Sequence, residues 1–125
     1  MTHQPHNRQL SFEKGIALLK NAYIAFNARN ADGVLQYMHT TVKWPNGWEG
    51  GYVQGHEAVR DYWQRQWAAI NPNVEPLSFE ELPDGSIVVS VHQLVKDLVG
   101  NVVSDSIVKH NYTIENGLVQ TMEIA

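Results

Sequence analysis

Residues 86–96, Ser-Ile-Val-Val-Ser-Val-His-Gln-Leu-Val-Lys, and residues 106–114, Ser-Ile-Val-Lys-His-Asn-Tyr-Thr-Ile, carry β-branched and apolar side chains at a period close to two. That period sends alternate side chains to opposite faces of an extended strand. Three turn signals, Pro83-Asp-Gly85, Gly100-Asn101 and Glu115-Asn-Gly117, divide the chain from residue 74 to the end. Four strands joined as consecutive hairpins are expected.

The register follows if the first and third turns are three-residue loops with glycine in the left-handed position and the second is a two-residue loop. One face then collects Leu77, Phe79, Val89, Val91, Gln93, Val95, Val108, His110, Tyr112, Ile114, Leu118, Gln120, Met122 and Ile124. His110 falls between Val91 and Met122 on that face. The opposite face holds Ser78, Glu80, Ser90, His92, Asp105 and Lys109, with Lys96 across from Asp105 and Lys109 across from Glu123. Opposite charges facing each other and apolar residues gathered on one side both argue for this pairing.

Upstream the period changes to that of a helix. Phe12, Ile16, Leu19, Tyr23 and Phe26 form one stripe behind Ser11, a candidate N-cap. The Asn30-Ala-Asp-Gly33 cluster breaks it, restarts a short helix with Val34, Leu35 and Met38, and accounts for Asp32. Thr40–Trp44 reads as a short strand at a sheet edge, stopped by Pro45-Asn-Gly47. A third helix follows Gly55 with Val59, Tyr62, Trp63, Trp67 and Ile70 on one side, and Asn71-Pro72 ends it. Residues 1–9 read as a loose tail in which His3 and His6 are tail residues rather than a metal clip.

The totals exclude several classes. With 125 residues, the chain has room for one core. A net charge of −4 without a basic block argues against nucleic acid or an anionic membrane as the main partner. No cysteine means no disulfide, thiolate nucleophile or cysteine-held metal. The polar start and the lack of a long apolar run suggest neither export nor membrane insertion, so the cytoplasm is the expected compartment. Walker and dinucleotide glycine loops, a nucleophile elbow and metal-ligand spacings are all missing, so neither cofactor nor metal is expected.

Helices first and a long antiparallel meander afterwards is an α+β pattern. Tyr23-Ile-Ala-Phe-Asn-Ala-Arg-Asn-Ala-Asp-Gly33, Thr41-Val-Lys-Trp-Pro45, Gly55-His-Glu-Ala-Val-Arg-Asp-Tyr62 and Tyr112-Thr-Ile-Glu-Asn-Gly-Leu118 resemble the nuclear transport factor 2-like superfamily, with its SnoaL-like and ketosteroid-isomerase-like members nearest. The resemblance implies a cone-shaped domain over residues 10–125. Three N-terminal helices would pack on a strongly curved antiparallel sheet, made of one short strand after helix 2 and the four-stranded meander. It further implies an apolar pocket and a homodimer through the outer sheet face. Members of this superfamily differ in activity, so the fold alone does not settle function.

In the ketosteroid-isomerase branch a general-base aspartate precedes the proline of the strand after helix 2. Here that residue is Trp44, which cannot take a proton. The same branch holds an oxyanion with a helix-1 tyrosine and a protonated strand aspartate. Tyr23 falls within one position of that tyrosine, and His110 stands where the aspartate would.

His110 is thus the candidate catalytic residue, with Tyr23 as its helper. Burial would keep its imidazole neutral and suit it to acid/base work or to donating to a substrate oxygen. The alternative is a buried histidine satisfied by Tyr112, Gln93 or backbone. The expected pocket wall comprises Trp44, Trp48, Tyr52, Trp63, Trp67, Val91, Gln93, Tyr112, Gln120 and Met122, two or three of the aromatics lining it and the others packing. Residues 47–55, with four glycines, form either a mobile lid or a plain connection, and Glu49 is the fallback base. His92 is expected on the outer surface or a dimer interface. Two functions fit: a cofactor-independent isomerase, cyclase or dehydratase acting on an apolar carbonyl compound, or a protein that only binds an apolar or aromatic ligand. A dimerising interaction module is the third.

Overall fold

The computed structural model describes residues 4–125, with side chains from Ser11 onward. His3 and the side chain of His6 lie outside what is described. Three helices pack against one six-stranded mixed sheet that does not close, the α+β architecture expected. The helices are α1 (Gln4–Asn27), α2 (Ala31–Leu35) and α3 (His56–Ala69). The strands are β1 (Met38–Pro45), β2 (Tyr52–Gln54), β3 (Asn71–Glu81), β4 (Ile87–Lys96), β5 (Val102–Glu115) and β6 (Leu118–Ile124).

Helix α1 starts before the expected cap, so Ser11 lies inside it and residues 4–9 are helical rather than a loose tail. Its mid-helix Gly15 marks close approach to the sheet, since a Cβ there would come within 2.6 Å of Ile87 Cδ1. At the break after α1, Arg29 adopts φ 63°, and the Asn30 side chain caps α2 by accepting from the Gly33 N–H at 2.9 Å. Asp32 pairs with Arg60 of α3 at 2.6 Å, tying the two helices together. Met38 belongs to the strand and not to the short helix.

The sheet order is β2-β1-β6-β5-β4-β3. Strand β1 is therefore internal, contrary to the edge position expected, because residues 52–54 form an extra strand against it. It also runs parallel to β6, so the sheet is mixed rather than wholly antiparallel.

The first turn is as expected, with Leu82 N–H donating to Ser86 O across Pro83-Asp-Gly85. The other two differ. Asp97 through Asn101 form a longer loop, held by the Asp97 carboxylate accepting from the N–H groups of Val99 and Asn101. With a register shift at Val95/Lys96, Asp105 faces Leu94 and Lys96 faces Val102. Asn116 and Gly117, at φ 52° and 82°, make a two-residue turn with both centres left-handed, and Glu115 pairs with Leu118. Asn111 then faces Glu123, and the Lys109 backbone carbonyl accepts from the Ala125 N–H. Neither expected charge pair forms.

His110 consequently sits between Val89 and Ile124 rather than between Val91 and Met122. Both displacements are two residues, so the face is unchanged. Two bulges do change faces. Leu77 is passed over between Pro76 and Ser78 and is 51% exposed; Pro76 takes the inward place opposite Val91, which turns Val74 inward as well. Gln120 is passed over between Val119 and Thr121, and its side chain bonds Thr41 instead.

The core between sheet and helices holds Leu19, Val42, Val59, Trp63, Val89 and Val119, each nearly or completely buried. Burying each aliphatic side chain of this kind stabilises the fold by about 1.5–3 kcal/mol. At the β3 edge, Asn27 of α1 substitutes for a neighbouring strand. Its Nδ2 donates to Val74 O at 2.8 Å, and its Oδ1 accepts from the Val74 N–H at 2.9 Å. Replacing Asn27 with leucine leaves both backbone groups unpaired, at an expected cost of about 1–3 kcal/mol. Urea unfolding measures this; an unchanged midpoint at equal slope would show that water replaces the amide without loss.

Candidate functional site

The inward face of β5 brings His110 and Tyr112 under α1, where Leu19, Tyr23 and Phe26 point down from successive turns. Between them lies a cavity of about 420 Å³ counting its open mouth, walled also by Trp44, Trp63 and Val119. A second cavity, about 600 Å³ when its opening to solvent is included, shares Phe26, Trp44, Trp63, Val74 and His110 with the first and reaches Gln93 and Met122. His110 stands at their junction. No aspartate, glutamate, lysine or arginine lines either cavity among the described residues.

The polar groups here form a chain. The Tyr112 and Tyr23 hydroxyls are hydrogen-bonded at 2.8 Å, and the Tyr23 hydroxyl lies 2.8 Å from His110 Nδ1. The Tyr23 and His110 rings stack at 6.1 Å, and Tyr112 meets each of them edge-on. Nε2 of His110 has no hydrogen-bond partner among the described residues. Burial pushes the His110 imidazole down to about 4, so at neutral pH it is uncharged. Burial likewise raises both tyrosine hydroxyls, with the neighbouring Tyr112 adding to the effect on Tyr23. The arrangement is a neutral hydrogen-bonding point inside an apolar enclosure.

The other expected wall residues divide. Trp44 and Trp63 line both cavities, their rings 5.2 Å apart and perpendicular. Gln93 and Met122 reach only the outer cavity. Trp67 packs behind the wall against Phe26 and Trp63, beneath the Arg29 guanidinium, with its Nε1 buried and unpartnered. Val91 is fully buried in the core without lining either cavity. Gln120 is turned away by its bulge. Trp48 and Tyr52 are both 45% exposed. Trp48 lies against Tyr62, whereas Tyr52 donates to Glu123 and lies beneath Lys43 Nζ.

The stretch expected as a lid or a connection is a hairpin joining β1 to β2. Asn46 organises it, with Oδ1 accepting from the N–H groups of Trp48 and Glu49 and Nδ2 donating to Glu49. Gly47 N–H donates to the Tyr62 hydroxyl at 3.0 Å. Glu49 is thereby held at the hairpin, away from His110's cavities. His92 lies on the outer face with Asp105 at 2.7 Å.

Sequence reading missed Leu19, Ala22, Phe26, Val34, Met38, Val74 and Val119 as wall residues of the inner cavity. Ala22 adjoins the apolar stripe of α1 and was legible there. Val74 was not, because its inward position depends on the bulge at Leu77.

Residues 19–117 match the SnoaL-like domain model. The chain belongs to the SnoaL-like domain family. It thereby falls in the nuclear transport factor 2-like superfamily. No curated protein matches this SnoaL-like chain in sequence. Among solved structures, it is similar to TerC co-crystallised with polyporic acid, at 25% identity over 90% of each chain and a TM-score of 0.78. It is also similar to a nuclear transport factor 2-like protein of unknown function from Burkholderia pseudomallei, at 25% identity, covering 90% of this chain and 89% of the other, TM-score 0.77. A Mycobacterium tuberculosis protein in complex with estradiol-17β-hemisuccinate shares the fold at 18% identity, covering 89% of this chain and 92% of the other, with a TM-score of 0.76. Among the described residues no helix is long and apolar enough to cross a membrane.

Proposed function

We propose that this SnoaL-like chain binds an apolar, carbonyl-containing small molecule in the inner cavity and acts on it as a cofactor-independent isomerase, cyclase or dehydratase. The observation that carries the reading is His110, among the described residues the one ionisable group other than tyrosine lining an otherwise apolar enclosure, with a free Nε2 at its wall. Tyr23 supports that imidazole from behind. Membership of the SnoaL-like family and the TerC–polyporic acid crystals point the same way.

A second reading keeps the binding and drops the turnover. It is favoured by Trp44, which occupies the place of the base in ketosteroid-isomerase-like relatives, and by the lack of any carboxylate along the described walls. Tryptophan fluorescence separates the possibilities, because Trp44 and Trp63 line the cavity. Titration with aryl ketones and polyketide-like compounds is expected to change the emission. His110→Ala is expected to weaken binding about tenfold, the equivalent of one lost hydrogen bond. Equal affinity in both proteins would remove His110 as anchor. Turnover of a bound compound that disappears in the variant identifies an enzyme, and binding without turnover identifies a carrier.

We also propose that two copies pair through the outer sheet face, where Ile107 is 67% exposed and Val88 and Leu94 are half-buried. Ile107→Lys is expected to shift a dimer to monomer in light scattering; a monomeric wild type at micromolar concentration would end this reading.

A further inference from the structure

The hydroxyl chain behind His110 has two possible directions, and they give the pocket opposite chemistry. In the first, Tyr112 donates to Tyr23, Tyr23 donates to Nδ1, and the imidazole carries its proton on Nε2. In the second, Nδ1–H donates to Tyr23 and Tyr23 donates to Tyr112, which leaves Nε2 as a bare acceptor. The oxygen and nitrogen positions are the same in both, each contact being 2.8 Å.

The difference lies in the last proton. In the second direction the Tyr112 O–H must point somewhere else, and Tyr112 is 3% exposed with no other acceptor among the described residues. A buried donor left unsatisfied is costly. The second direction leaves both the Tyr112 O–H and the Nε2 lone pair unpaired, whereas the first satisfies both hydroxyls and leaves only the Nε2–H, on a residue that lines the cavities, without a partner among the described residues. The tautomer of a histidine is set in this way by what its other nitrogen meets.

We infer that Tyr23, fed by Tyr112, is a positioning residue that locks His110 as an Nε2–H donor, so that the pocket takes a neutral acceptor oxygen such as a ketone and His110 does not serve as its base. This rests on the proposed ligand site for its substrate class, but the tautomer itself is a property of the empty protein. A carboxylate is excluded by the same walls. No lysine or arginine lines either cavity among the described residues, and a buried anion without a cation is strongly disfavoured.

The experiment is ring nitrogen NMR of the full, uniformly ¹⁵N-labelled chain at pH 7 without ligand, with His110 assigned by comparison with His110→Asn. The expected result is a bare Nδ1 and a protonated Nε2, this form exceeding the other by about tenfold or more. A protonated Nδ1, or a doubly protonated ring, overturns the inference. Tyr23→Phe is expected to release the lock and move both nitrogens toward exchange-averaged positions. Retention of the wild-type shifts there would show that Tyr23 does not set the tautomer. Should that variant fail to fold, Tyr112→Phe gives the second reading. It keeps the Tyr23 donor, so Nε2–H should persist while the Nδ1 resonance moves. A switch to Nδ1–H overturns the inference.

Titration with 2-acetonaphthone and with 2-naphthoate then tests the ligand class. The ketone is expected to move the Nε2 resonance and the carboxylate to bind at least about tenfold more weakly. Equal or tighter carboxylate binding overturns the neutral-acceptor assignment. If neither binds at millimolar concentration while the locked tautomer is observed, the carbonyl-ligand function fails and the positioning role of Tyr23 stands.

Discussion

Trp63→Ala is expected to lower folding stability by about 3–5 kcal/mol, the largest effect of any single substitution in the wall. The indole is 1% exposed and joins three elements. It meets Trp44 of β1 edge-on at 5.2 Å, Phe26 of α1 at 5.7 Å, and its own helix neighbour Trp67 at 6.3 Å. Removing it deletes the transfer energy of a large aromatic and leaves a void that stiff rings on two sides cannot close. Because Trp63 lines both cavities, the void would also merge them. Against a total stability of about 5–15 kcal/mol, such a loss leaves a marginal protein. Chemical denaturation at pH 7 measures it. A loss under about 1.5 kcal/mol would mean that the neighbouring rings collapse into the space, contrary to a rigid wall. Trp48→Ala, at a half-exposed site, should cost about 1 kcal/mol or less.

Acidification provides the second large effect. Burial holds the His110 imidazole near 4, below its ordinary value of 6.5. Between those values the unfolded chain binds a proton that the folded chain refuses, so stability rises with pH across the interval. The contribution is fully present above about pH 6.5 and is lost as the pH falls toward 4, amounting to about 3 kcal/mol from this one group. Thermal unfolding from pH 7 to pH 4 should therefore show a falling Tm in the wild type. In His110→Gln the curve should flatten across the same interval, whatever its absolute level. Parallel curves for the two proteins would show that the fold does not keep this imidazole neutral.

The direction in which His110 points was legible because strand side chains alternate. Both hairpins flanking β5 have registers two residues away from the simplest ones, through the Asp97-closed loop on one side and the two-residue turn and bulge on the other. An even displacement returns a side chain to its original face, as it does for His110 and Tyr112. The charge pairs were not legible for the same reason, since Lys96 and Asp105 share a parity but not a position. Bulges carried no signal. Nothing local to Leu77 or Gln120 marks the residue that is passed over; one bulge moved Leu77 off the expected inward face and the other moved Gln120 out of the expected pocket wall.

The aromatic cluster separated along similar lines. Helical spacing put Tyr62 and Trp63 inward, and α3 buries both. Trp48 and Tyr52 belong to a hairpin whose path depends on the Asn46 side chain and on pairing with β1, so their neighbours in sequence say little about their surroundings.

Periodicity alone determined the helices, most of the strands, the inward face of β5 and the place of His110 on it, because side-chain direction is a local property of a regular backbone. The tertiary structure decided what His110 meets. Tyr23 lies 87 residues away in sequence and Tyr112 on the same strand, and their hydroxyls join behind Nδ1 only when α1 crosses the sheet at this height. A contact across that separation depends on the turns, bulges and helix packing between its partners, which no single stretch of the sequence specifies.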